Sequence, residues 1–419
     1  MVINIILFIV GLAVYAGYGI SVLYLLAVTL LSYLAGRLIP RYRFVMWIST
    51  VLQVFLLLLL RVQHWLPYPS ISAPIGISYF TLQIIAYHVD LYRGRYEPEK
   101  NVLRYGLLVT WLPHIFIGPI EPYPKMRASL EKRHISGDDF LKGAVRSLWG
   151  LFQKLVIAAR LDVIVSVISE TPEQFNGAYA LAAMLFYAVQ LYADFSGGID
   201  IVLGVSRMLG IRMSENFDAP YFSQSVSEFW RRWHMTLGDW LREYVYIPLG
   251  GSRKGNLRKF LNIMATFLVS GIWHGGGYLL WGLLHGMFVF FGDKFRTKSS
   301  SLNRIATFLL VSLLWSFFIW PDTVTVLRMV GSVFTVFNYD TFFAGIGGMG
   351  LAVGDWIVLG AACLLLWAYD WKSRCLKAGF CTFPLAAKVS VLCLLALTVL
   401  TFGRYGIGFS ASEFIYSQF

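Results

Sequence analysis

Charge is what this chain has least of. Asp, Glu, Lys and Arg make up 14% of its 419 residues, against about 25% in an ordinary soluble protein, too few to coat a water-exposed body of this size. Cysteine is scarce as well. The four present, Cys363, Cys375, Cys381 and Cys393, fall in the last quarter of the chain without zinc-ligand spacing. That excludes a disulfide scaffold, and Cys363 and Cys393 sit in apolar runs where sulfur serves as small core filler. There is no internal repeat of fixed period and no low-complexity tract. The glycine-rich piece at 345–350 lacks the strand-then-helix setting of a dinucleotide loop.

Apolar and aromatic residues are abundant: 57% of the chain is hydrophobic, with 14 Trp, 23 Tyr and 32 Phe. Such a composition belongs in a lipid bilayer. Apolar stretches run near residues 2–16, 19–38, 44–60, 73–92, 103–121, 143–169, 176–206, 260–273, 277–292, 303–320, 324–340, 352–370 and 386–405. A spanning helix needs about 20 mostly apolar residues. Several of these stretches are too short, or too broken by Gly and Pro, to cross. The expectation is an all-α polytopic membrane protein, one integral-membrane domain over 1–419, with about eleven full crossings and the remainder re-entrant. Residues 2–14 have no basic residue ahead of them and no small-residue cleavage pattern, so they read as a retained first helix.

Lys and Arg outnumber Asp and Glu by 35 to 23, a net charge of +12. The surplus sits in short loops at 37–43, 93–104, 125–146, 253–259, 294–304 and 372–377. The positive-inside rule accounts for this better than nucleic-acid binding and marks those loops as cytoplasmic. No large extracellular domain is then left over, so a soluble partner is expected to be a separate protein.

Residues 222–259 hold seven basic and three acidic side chains between nearly uncharged neighbours. Trp230, Trp233, Leu237, Leu241 and Tyr244 follow spacings of three and four, one apolar face of an amphipathic helix lying in the membrane interface. His234 sits on it, readable as an interfacial histidine bonded to a carbonyl or as part of a site. His274 lies in an apolar run and is followed by three glycines. An ionisable group there should face a polar cavity or a protein partner, and neutral imidazole suits proton removal from a hydroxyl near neutral pH; a satisfied core histidine is the plain alternative. His285 reads as core or as a supporting residue. Asp194 and Asp200 are about 240 degrees apart on a helix, at about 100 degrees per residue, so they are not a paired acid and base. Asp194 either orients a His or Arg or belongs to a buried ion pair. His234, His274, His285 and Asp194 are usable ligand types, but no H-E-x-x-H pattern or close His pair is present, so no metal is expected. Ser196 and Ser270 lie in no nucleophile-elbow setting. A proton-coupled transporter is the rival class, because intramembrane Asp and His can relay protons.

The strings at 192–200 (YADFSGGID), 215–221 (ENFDAPY), 228–236 (EFWRRWHMT), 240–251 (WLREYVYIPLGG) and 270–275 (SGIWHG), with Leu284-His285-Gly286, resemble the membrane-bound O-acyltransferase family. PIGISYF at 74–80 and GPI at 118–120 extend the resemblance, so the motif-bearing core covers about 73–290. It is most similar to the bacterial branch of alginate O-acetylation and teichoic-acid D-alanylation proteins, and within it to the alginate type. The C-terminal FIYSQF at 414–419 looks like the Phe-Ile-Tyr-x-x-Phe ending of that type, with Ser417 where an aromatic is common.

The resemblance implies a ring of tilted helices around a thinned centre with a tunnel joining the membrane faces. It implies His274 as catalytic base, His234 as the second histidine of the site and Tyr416 as an acyl relay, and Asp194 is expected beside them as an orienting group. A phenol has a pKa of about 10, so a base would help it react. Arg231, Arg232 and Arg242 are expected near the donor's phosphates. The donor would be a cytoplasmic acyl thioester, acetyl-CoA or an acyl carrier protein, with no tightly bound cofactor. The acceptor would be a cell-surface polysaccharide reached through a separate extracytoplasmic SGNH-type or related esterase-like protein. The location would be the bacterial cytoplasmic (inner) membrane, multi-pass and in contact with lipid, with no nucleic acid. D-alanyl transfer from a carrier protein is the alternative within the family.

Overall fold

The computed structural model describes residues 2–19, 21–62, 74–275, 278–320, 322–338, 340 and 345–405. Among the described residues there is no β-strand. The helices in chain order are α1 (Val2–Ala16), α2 (Ser21–Leu38), α3 (Phe44–Val62), α4 (Ile77–Tyr92), α5 (Val102–Thr110), α6 (Leu112–Ile117), α7 (Tyr123–Glu131), α8 (Gly137–Phe152), α9 (Ala159–Glu170), α10 (Ala178–Met208), α11 (Val226–Trp230), α12 (Met235–Leu241), α13 (Gly255–His274), α14 (Leu279–Phe291), α15 (Ser300–Leu314), α16 (Ser316–Ile319), α17 (Thr323–Thr335), α18 (Val353–Thr382) and α19 (Leu385–Phe402). Two wider π turns interrupt them, Gln153–Ala158 between α8 and α9 and Arg242–Tyr246 after α12.

The all-α polytopic expectation is met, but eleven crossings are not confirmed. Among the described residues five helical segments are long and apolar enough to span: Ser21–Leu38, Ala178–Met208, Ser300–Ile319, Val353–Lys372 and Leu385–Phe402. Val2–Ala16, Phe44–Leu59 and Thr323–Thr335 are apolar but shorter. Two causes separate this from the hydropathy count. The stretch 103–121 breaks at Trp111 into α5 and α6, and the stretch 143–169 carries Arg146, Lys154, Arg160 and Asp162 within its helices.

Helix α10 is the axis, 31 residues long and buried along most of its length. It packs on α8 through a seam of small residues. A Cβ on Gly150 would strike the carbonyl of Gly197, and one on Gly204 would strike that of Gly143. Close backbone approach of this kind replaces the hydrophobic drive that lipid cannot supply between helices. Many buried polar groups of the bundle are paired, as an apolar surround requires. Trp111 Nε1 donates to Ser206 Oγ at 3.0 Å, and Arg160 spans three helices by donating to Asp355 at 3.1 Å and to the Phe402 carbonyl at 2.7 Å. At the start of α8, Lys142 and Lys388 hold the Asp138 carboxyl down to about 2, and the Lys388 contact ties α19 to the bundle.

Candidate active site

The amphipathic helix expected through 230–244 is broken. Ser225 caps α11, its Oγ accepting from the Glu228 N–H at 3.2 Å, while the Glu228 carboxylate accepts from the Gln224 N–H at 2.9 Å. This is a reciprocal cap that starts the helix sharply. The helix ends one turn later at Trp230, and a turn carries the chain to His234, whose backbone is left-handed at φ 45° and ψ 53°. A bulky residue seldom takes this conformation, which costs about 1–3 kcal/mol. Buried Asn216 holds it in place. Its carbonyl accepts from Met235 N at 3.0 Å, and its side-chain Oδ1 accepts from Thr236 N at 2.9 Å and Thr236 Oγ1 at 2.8 Å. Thr236 Oγ1 in turn accepts from Ile120 N at 3.0 Å. Segments 118–120 and 215–221 thus serve as a clamp on the histidine turn. Trp233 and His234 are each about 1% exposed, so they face the protein interior and not the lipid boundary.

His274 is the last residue of α13. Gly275 follows at φ 137°, a value that favours glycine, and the chain turns back into α14. Gly271 lies against the Tyr278 carbonyl and Gly282 against the Phe267 carbonyl, so α13 and α14 form a tight hairpin. The His274 ring lies 4.6 Å from Trp273, 5.4 Å from Trp281, 5.6 Å from Phe318 and 6.4 Å from Tyr278, centroid to centroid. Trp273 is also 6.4 Å from the His234 ring, which meets Phe195 edge-on at 4.9 Å. One indole therefore stands between the two histidines. His285 joins the same cluster, 4.9 Å from Trp281, with its Nδ1 accepting from Trp230 Nε1 at 3.1 Å. The cage residues Trp273, Trp281 and Phe318 and the clamp residue Asn216 were not legible as site residues from spacing, although Asn216 and Trp273 lie inside the quoted strings.

The remaining candidates are distributed differently from expectation. Asp194, 2% exposed, pairs with Lys154 Nζ at 2.5 Å, a buried ion pair. Lys154 comes from the π turn, a distortion that recurs at functional sites. Asp200 accepts from Arg146 at 2.8 Å and from Gln153 at 3.0 Å, and Arg146 also grips Glu215 at 2.5 and 2.7 Å. The three arginines are not gathered together. Arg232, bonded to Glu228 at 2.6 Å, lines a cavity of about 390 Å³ with Gln224, Arg304, Trp371 and Lys372. Exposed Arg231 donates to Ser227 Oγ at 2.9 Å, and Arg242 lies at the start of the second π turn; neither lines that cavity. Arg304 and Lys372 come from stretches read as cytoplasmic loops, and Asp218, Glu228 and Asp370 line the cavity beside the three cations. Tyr416 and the 414–419 motif lie outside the described residues.

The sequence model of the membrane-bound O-acyltransferase family (MBOAT) matches residues 28–332. A probable alginate O-acetylase of Pseudomonas fluorescens is 38% identical over 269 residues, 62% of this chain and 54% of that protein. A peptidoglycan O-acetyltransferase of Helicobacter pylori is 32% identical over 282 residues, 58% of this chain and 54% of that protein. A teichoic acid D-alanyltransferase of Bacillus subtilis is 26% identical over 316 residues, 68% and 78% of the two chains. The chain spans about half the length of the alginate and peptidoglycan relatives it matches.

Proposed function

Because the chain belongs to the membrane-bound O-acyltransferase family, we infer that it transfers an acyl group, acetyl, from a cytoplasmic thioester to a hydroxyl on the way to an extracytoplasmic polysaccharide. The observation that carries this is the placing of His274: at a helix end beside a left-handed glycine, in an aromatic cage shared with His285 and one indole away from His234. In the reaction the hydroxyl oxygen attacks the thioester carbonyl carbon. The C–O bond forms, the C–S bond breaks, the hydroxyl proton passes to the His274 imidazole, and that proton goes on to the departing sulfur. General-base action of this kind contributes about a hundred- to ten-thousand-fold. His234 shapes the approach from the other side of Trp273. The Lys154–Asp194 pair secures α8 to α10 behind Phe195, whose ring meets His234.

Arg304 and Lys372, in a cavity they share with Asp218, Asp370 and the Arg232–Glu228 pair, are the cations offered to the phosphates of acetyl-CoA or a carrier's prosthetic arm. Tyr416 serves as acyl relay to a separate SGNH-type or related esterase-like partner, and the membrane is the bacterial cytoplasmic one. Acetyl is favoured over D-alanyl because the relatives named for acetyl transfer share 38% and 32% identity, against 26% for the D-alanyltransferase. The test uses the purified protein in proteoliposomes with labelled acetyl thioester, following thiol release and label on Tyr416 or a polysaccharide acceptor. His274→Ala should lower transfer at least about a hundred-fold while the protein stays inserted. Transfer retained by that variant ends the reading.

A further inference from the structure

His285 and Trp281 carry a donor arrangement that the base chemistry of His274 does not use. An indole N–H can only donate, so the bond from Trp230 Nε1 to His285 Nδ1 at 3.1 Å requires a lone pair on Nδ1. The neutral ring then carries its proton on Nε2. A doubly protonated ring would set two N–H groups against each other. His285 is fully buried, ringed by Trp230, Trp281, Trp315 and Phe267 at 4.9 to 6.3 Å between centroids. Its Nε2–H has no acceptor among the described residues, and neither does the indole N–H of Trp281, also fully buried. Buried donors of this kind are costly unless something accepts from them. Two such donors lie on rings in contact with each other, and one of those rings contacts His274.

The geometry points to the Trp281 Nε1–H and His285 Nε2–H as the donors that receive the acyl carbonyl oxygen during transfer. This deepens the acyltransfer reading and rests on it. The group that fits two donors with no acceptor beside them is an oxygen bearing no proton, which a thioester carbonyl supplies in the ground state and its oxyanion in the tetrahedral intermediate. Negative charge grows on that oxygen as the hydroxyl oxygen bonds to the carbonyl carbon, and recedes as the C–S bond breaks. The donors move no proton. They stabilise the charge inside a cage that excludes water, where such bonds act most strongly. Trp230 is the positioning residue that keeps the His285 proton on Nε2.

The experiment measures kcat and KM for acetyl transfer by full-length protein in proteoliposomes, with the amount of folded protein fixed by size-exclusion recovery. Trp281→Phe and His285→Leu should each lower kcat by about a hundred-fold with KM changed less than threefold. His285→Gln, whose amide can accept from Trp230 and donate onward, should recover at least a tenth of wild-type kcat. Wild-type kcat in Trp281→Phe and His285→Leu, losses confined to KM, or no recovery in His285→Gln at full folded yield would each overturn the donor assignment. If instead the wild type shows no thioester-dependent transfer and His274→Ala changes nothing, the acyltransfer reading itself has failed.

Discussion

Replacing Asn216 with Ala should release the turn that presents His234. The variant loses both side-chain bonds to Thr236 at 2.8 and 2.9 Å, in a place where Asn216 is fully buried. The orphaned Thr236 N–H costs about 1–3 kcal/mol and the lost hydroxyl bond about 1 kcal/mol more, so roughly 2–4 kcal/mol of restraint disappears. Against this stands the left-handed conformation of His234, which costs about 1–3 kcal/mol. The two quantities are comparable, so without Asn216 the turn gains by relaxing and the imidazole leaves its place against Phe195 and Trp273. The expected result is a lower thermal midpoint in detergent together with a fall in acetyl transfer greater than the lost folded fraction accounts for. His234→Gly is the control that separates conformation from chemistry. Glycine takes φ 45° without strain, so relief of the turn offsets part of the packing lost with the buried ring, and that variant should fall in transfer far more than in stability. An Asn216→Ala protein with unchanged midpoint and unchanged transfer would show that the clamp does not govern the turn, and the argument from strain would be wrong.

Lys154→Met removes the cation paired with the buried Asp194 carboxylate and should cost about 3–5 kcal/mol, whereas Lys154→Met with Asp194→Leu should regain most of that loss; detergent unfolding curves of the two variants decide it. Gly197→Ala drives a methyl into the Gly150 carbonyl across the α8–α10 seam and should cost at least about 1–3 kcal/mol, read as lost recovery of folded protein. Tyr416→Phe should abolish any acyl adduct on the C-terminal peptide by mass spectrometry while thiol release from the donor persists at a reduced rate; an adduct that survives elsewhere on that peptide refutes the relay.

Much of the bundle was legible because hydropathy and small-residue patterns act locally. Residues 192–200 read as an apolar helix, and the structure has them there within α10. The helix end at His274 was legible as well, since consecutive glycines next to an apolar run favour a break. The break at His234 was not. The spacing of Trp230, Trp233 and Leu237 is helical whether or not the chain is, and the bond that overrides the local preference comes from Asn216 in another segment. The cation of Asp194 was hidden for the same reason: Lys154 lies 40 residues away on a different helix, at a π turn that periodicity does not reveal. The count of about eleven crossings stays unconfirmed, because charged residues paired across helices, such as Arg146 and Lys154, lower the hydropathy of the segments that carry them.

His234 and Asp194 are linked through Phe195, which follows Asp194 and packs on the His234 ring, and that has a physical reason. A continuous α-helix satisfies its own backbone and points side chains at fixed angles, so a bundle of unbroken helices buries apolar surface well but has no freedom to aim several polar rings at one point. Here several polar groups of the site are delivered from an interruption or its edge: Lys154 from a π turn, His234 from a left-handed turn, His274 from a helix end beside Gly275, and Trp315 from the step between α15 and α16. The freed backbone groups are recaptured by Asn216, Thr236 and the glycine carbonyls, and the glycine seam between α8 and α10 supplies rigid support. If that is the logic of the site, straightening any one interruption should harm transfer more than stability. His234→Gly and His234→Ala differ at this point only in whether the left-handed turn is strained. The alanine variant should therefore fall below the glycine variant in stability by about 1 kcal/mol, and equal midpoints would mean that the break is held by packing alone.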